Sequence, residues 1–63
     1  MADAATQLRK VRHDLSNPLA AILAETQLLL LNEDQFDDET KHGLRQIEAL
    51  ARKMRQMLEA LDV

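Results

Sequence analysis

The sequence predicts an all-α fold: one domain over residues 1–63, an antiparallel two-helix hairpin that homodimerises into a four-helix bundle. Three observations predict it. Hydrophobic residues make up 46% of the chain yet are nearly all Leu and Ala, with one Phe, no Trp and no Tyr, a composition that favours helix over strand. Apolar positions recur at heptad spacing in two long stretches separated by one short polar segment. A lone hairpin of 63 residues would bury too little apolar surface to be secure, so association is expected.

The first helix is expected over about residues 4–31, where only Pro18 opposes helix. Leu8, Val11, Leu15, Pro18, Ile22 and Leu29 fall on an a/d seam, with Glu25 as the one misfit, and Leu19, Leu23, Leu28 and Leu30 widen the stripe. A stripe this broad belongs to a multi-helix bundle rather than a two-stranded coil. Local rules leave two readings of Pro18 open: a kink inside one helix, or a helix start with Asn17 as N-cap and Pro18 as first residue. The seam continues in register from Leu8 to Ile22, which favours one kinked helix.

Residues 32–38 are polar and turn-like, and Phe36 within them is placed to plug the end of the bundle. Asp37 or Asp38 can cap the second helix, with Glu39 adding negative charge to its first turn. That helix is expected over about residues 39–61, with Leu44, Ile47, Ala51, Met54, Leu58 and Leu61 in a/d spacing and Leu50 and Met57 broadening the face. The two methionines read as core fillers. A short link makes the helices antiparallel neighbours, and two hairpins pair about a two-fold axis.

Composition also excludes. With one Gly and one Pro there is no phosphate-cradling loop, so no nucleotide is bound by any familiar device. A net charge of −3 with both signs interspersed argues against a nucleic-acid partner. Cysteine is absent, and His13 and His42 lie too far apart in sequence to make a metal motif. No apolar run approaches the ~20 residues of a membrane span, so no membrane contact is expected of this segment and a cytoplasmic setting is.

In heptad terms His13 falls at f, Asp14 at g and Asn17 at c, which turns His13 toward solvent with Asn17 one turn further along the same face. An exposed imidazole, with an ordinary pKa of about 6.5, is a competent nucleophile at neutral pH. A neighbouring carboxylate can hold the second ring N–H and stabilise the charge that develops on attack, and Asn17 can orient a water or a phosphoryl oxygen.

The run His13-Asp14-Leu15-Ser16-Asn17-Pro18-Leu19, followed by Ala20-Ala21-Ile22, resembles the H-box of sensor histidine kinases: His, Asp or Glu, two variable residues, Thr or Asn, Pro, Leu. Its place near the start of the first of two amphipathic helices is similar to the family's dimerisation and phosphotransfer domain, and the resemblance covers nearly the whole chain. It implies that His13 accepts the γ-phosphoryl of ATP, that Asp14 is the general base or hydrogen-bond partner, and that Asn17 places water in the reverse, phosphatase reaction. It implies further that Pro18 is a hinge, and that Ala20, Ala24 and Glu25 take part in choosing the response-regulator receiver whose aspartate takes the phosphoryl group. On this resemblance the segment binds no cofactor itself. ATP enters through a separate ATP-binding catalytic domain, expected beyond the second helix of a longer protein that the resemblance allows to be membrane-anchored, and Mg²⁺ comes with the receiver. The chain alone would not phosphorylate itself. A dedicated histidine phosphotransferase of a phosphorelay and a purely structural dimerisation hairpin are the alternatives. His42 matches no motif and reads as a surface residue, and the basic groups Arg9, Lys10, Arg12 and Arg52, Lys53, Arg55 read as solvated faces, the latter with a Glu48–Arg52 pair.

Overall fold

The computed structural model describes residues 3–61. Helix α1 spans Ala4–Leu30, one 3-10 turn covers Glu33–Gln35, and helix α2 spans Asp38–Glu59. Each helix starts on an aspartate with extended backbone. Asp3 accepts a hydrogen bond from the Thr6 N–H at 2.8 Å, and Asp37 accepts one from the Thr40 N–H at 2.7 Å. These carboxylates satisfy N–H groups that no helical turn can reach. Of the two caps the sequence allowed for α2, Asp37 is used, which places Asp38 and Glu39 in the first turn, where the macrodipole favours negative charge. Helix α2 ends two residues before its expected limit, at Glu59, and α1 one residue before its own, at Leu30.

Pro18 lies inside α1, so the chain makes one helix through it and no new helix starts at Asn17. Proline removes one backbone bond and crowds the preceding turn, a cost of about 3 kcal/mol in a helix interior. Burial of Leu19 and Leu23 just beyond it, continuous with the apolar face before it, offsets that cost.

The helices run antiparallel and touch along a narrow strip. Leu19, Leu23 and Ala51 form the buried layer, with Leu58 packed against it. Thr26 is buried in the same strip, and its hydroxyl donates to the Ile22 carbonyl at 2.7 Å, so no polar group is stranded there. At the turn, an ion pair between Arg45 and Glu33 ties the 3-10 segment to α2, and Phe36 is half-buried.

The residues that close the hairpin are therefore those that widened the α1 stripe, and most of the a/d seam stays exposed. Leu8, Val11, Leu15, Ile22 and Leu29 on α1, and Ile47, Leu50, Met54 and Met57 on α2, are all uncovered. At about 100° per residue, Ile22 sits about 60° round the helix from Leu19, so each helix carries two adjoining apolar faces and the hairpin uses one. The molecule measures 52 × 15 × 12 Å, and its radius of gyration of 15.2 Å exceeds the roughly 11 Å of a compact domain of this length. Its accessible surface of 5107 Å² is about 1,000 Å² more than a compact monomer of its mass exposes. That excess is close to the roughly 800 Å² each partner gives to a standard protein interface.

Candidate functional site

His13 lies three turns into α1 on the side away from the uncovered apolar face, and its side chain is 77% exposed. The position follows from helical phase: nine residues separate His13 from Ile22, which puts the two on opposite sides of the helix at about 100° per residue. Asp14 is the neighbouring charge. Its Oδ1 stands 3.6 Å from His13 Nδ1, just outside hydrogen-bond length, and its side chain is 58% exposed. A small rotation of either side chain closes that gap, as is common for catalytic pairs before a ligand is bound. With Nδ1 turned to Asp14, Nε2 is the ring nitrogen presented to solvent.

One groove borders the imidazole, and a second adjoins that groove. The first is lined by Arg9, Arg12, His13 and Ser16 from α1 and by Glu59 from α2. The second continues toward the turn, shares Ser16 and Glu59, and adds Asn17, Ala20, Leu23 and Arg55. Of the residues expected at the site, the structure thus gathers His13 and Asp14 into one pair, and Asn17 and Ala20 into the neighbouring groove. Pro18 is exposed between them in sequence, and Ala24 and Glu25 are exposed further down α1, outside both grooves.

Five polar lining residues, Arg9, Arg12, Ser16, Arg55 and Glu59, were not singled out from sequence as part of the site. Ser16 donates from its hydroxyl to the Arg12 carbonyl at 2.6 Å, and Arg12 Nη1 donates across the hairpin to the Leu61 carbonyl at 3.3 Å. Arg55 Nε and Glu59 Oε1 stand 3.9 Å apart on α2, with Glu48 and Arg52 forming the expected pair beside them at 3.4 Å. Arg9, Arg12 and Ser16 are legible in principle, since positions one, three or four from a helical residue border it. Arg55 and Glu59 depend on how α2 pairs with α1, which no local pattern reveals.

The two helix caps hold their carboxyls below the usual carboxylate range. Asp3 is lowered chiefly by the backbone N–H of Thr6, and Asp37 by hydrogen bonds from the Thr40 side chain and then its backbone. Among the described residues no group of three or more His, Cys, Asp or Glu is arranged to hold a metal ion, and no helix is long and apolar enough to cross a membrane.

An all-helical hairpin with an exposed histidine on one side and an uncovered apolar face on the other has the form of a dimerisation and phosphoacceptor domain. The chain belongs to the His Kinase A (phospho-acceptor) domain family, whose sequence profile matches residues 4–63. Domains of this family are the phosphoacceptor and dimerisation part of histidine kinases, which are transferases; they homodimerise and work with kinase and receiver partners. No curated protein and no solved structure matches the chain significantly.

Proposed function

We propose that His13 is the phosphoacceptor, and that it works on a homodimeric four-helix bundle built from two copies of the hairpin. The observation that carries this reading is the placement of His13: exposed, on the side of α1 away from the uncovered apolar face, with Asp14 beside Nδ1 and Nε2 toward solvent. The uncovered face of Leu15, Ile22, Ile47 and Met54 supports the dimer, because a second copy is the partner that covers it symmetrically.

In the forward step the Nε2 lone pair attacks the γ-phosphorus of ATP held by a separate ATP-binding domain. The N–P bond forms as the bond from the γ-phosphorus to the bridging oxygen breaks, and its electron pair leaves with ADP. The ring gains positive charge, and Asp14 stabilises it through the Nδ1–H. In the next step a receiver aspartate attacks the same phosphorus, with Mg²⁺ supplied at the receiver, and the N–P electrons return to Nε2. Asn17 orients a water or phosphoryl oxygen in the reverse, phosphatase reaction. Ala20 in the second groove, with Ala24 and Glu25 below it, is offered to the docking receiver, and Pro18 serves as the hinge of α1. ATP and receivers are cytoplasmic, so the hairpin works there.

The test is phosphoryl transfer from labelled ATP by a separately made ATP-binding domain of a histidine kinase. Acid-labile, base-stable label is expected on the native hairpin and is expected to vanish with His13→Gln. Equal labelling of both, with both folded and dimeric, would refute the assignment of His13; no label on either would favour a purely structural hairpin.

A further inference from the structure

We infer that Arg9 and Arg12 form an anion-binding cleft that holds the phosphoryl group once it is on His13, with Arg12 giving up the Leu61 carbonyl to do so. The inference rests on His13 being the residue that carries the phosphoryl group, and it adds which side chains receive the dianion.

Arg9 and Arg12 line the same groove as His13, whereas Lys10, the third member of that basic group, does not. The phase of α1 explains the division. Arg9 precedes His13 by four residues and Arg12 by one, which puts both on the α2 side of the imidazole, while Lys10 lies about 100° from Arg9 toward the other side. Among the described residues Arg9 makes no ion pair, and neither does Arg12, whose hydrogen-bond partner is the neutral carbonyl of Leu61 at 3.3 Å. Two guanidinium groups at the rim of one groove, unpaired with any carboxylate among the described residues, match the charge and donor geometry of a phosphoryl dianion.

Among the described residues, two acidic groups lie close to the groove. Glu59 lines the groove from α2 and stands 3.9 Å from Arg55, a cation on its own helix, and Asp14 lies on the far side of the ring at Nδ1. Ser16 is fixed by its bond to the Arg12 carbonyl and keeps that turn of α1 in place below the imidazole. A phosphoryl dianion outcompetes a neutral carbonyl for a guanidinium, so Arg12 turns from Leu61 to the phosphoryl oxygens when His13 is modified. The occupied state of His13 is thereby reported at the end of α2, where Leu61 follows the last helical turn.

Phosphoramidate, which loads exposed imidazoles without any enzyme, provides the test. The hairpin carries His42→Gln so that a single phosphohistidine is read, and the second ionisation of its phosphoryl group is followed by phosphorus NMR against pH at low salt. Two nearby cations are expected to lower that midpoint by about half a pH unit or more relative to the Arg9→Gln/Arg12→Gln variant, with recovery in Arg9→Lys/Arg12→Lys. On loading, the Leu61 amide signal shifts in the Arg12 protein and stays put with Arg12→Gln. The single variants Arg9→Gln and Arg12→Gln give the same reading in smaller steps should the double variant fold poorly. A midpoint unchanged by removal of both arginines, in folded dimeric protein, overturns the inference. Because loading by phosphoramidate needs no kinase, failure of enzymatic transfer would remove the acceptor role of His13 and still leave the arginine result readable.

Discussion

Replacing Ile22 by alanine should loosen the dimer while sparing the hairpin. Ile22 is 51% exposed within one hairpin, so about half of its burial remains to be made by the partner. Full burial of an isoleucine side chain stabilises by about 1.5–3 kcal/mol, which leaves roughly 0.75–1.5 kcal/mol for the interface in each copy. Two-fold symmetry places the substitution in both protomers, so the dimer loses about 1.5–3 kcal/mol, a dissociation constant raised roughly 10- to 150-fold. Leu31→Ala is the matched control. Leu31 is even more exposed, at 78%, but lies nine residues on and thus on the opposite side of α1. Sedimentation equilibrium over a dilution series reads both dissociation constants, and helical circular dichroism at high concentration checks that each variant folds. An Ile22→Ala dimer as tight as the native one, or equal loosening by Leu31→Ala, would refute the assignment of the two faces.

Three further outcomes follow from the same structure. Leu23→Ala empties a position 6% exposed in the thin layer between α1 and α2 and should cost about 2–5 kcal/mol in a urea unfolding curve, a large loss for so small a core. Pro18→Ala restores the N–H that bonds the Asp14 carbonyl, so thermal stability should rise while the ratio of kinase to phosphatase activity changes in the full-length protein; an unchanged ratio would remove the hinge role. Since Asp3 and Asp37 hold their carboxyls low in the folded state, the unfolded chain binds more protons between the two values. Their contribution is then complete above the ordinary carboxylate range and is lost as pH falls through the lowered folded values. Asp37→Asn keeps a capping side chain that does not titrate, and acid unfolding followed by circular dichroism should become shallower; an unaltered acid limb would contradict the role of that cap.

Much of this was legible because helix formation and heptad phase are local. Two helices with a polar link, a cap at Asp37 or Asp38, the Glu48–Arg52 pair and the outward turn of His13 all follow from residues within a few positions of one another, and the structure uses Asp37. The division of labour between apolar faces did not follow. The a/d seam describes what a helix can bury, not against which neighbour, and the hairpin closes on Leu19, Leu23 and Ala51 while leaving Ile22 and Met54 for another chain. Thr26 was invisible for a related reason: a threonine reads as polar until its hydroxyl is seen satisfied on the preceding turn. Arg55 and Glu59 reached the site through the pairing of α2 with α1, over forty residues from His13 in the chain. The H-box spacing located the histidine, whereas the side chains that surround it were set by tertiary contact.

The most direct test of the central claim is to locate the phosphoryl group itself. The native hairpin is incubated with a phosphorylated receiver domain and fragmented by electron transfer in a mass spectrometer, which preserves the N–P bond and separates His13 from His42. Phosphoryl mass on His13 and none on His42 is the predicted result. Phosphoryl mass on His42, or on neither histidine while the receiver keeps its label and the hairpin is dimeric, would contradict it.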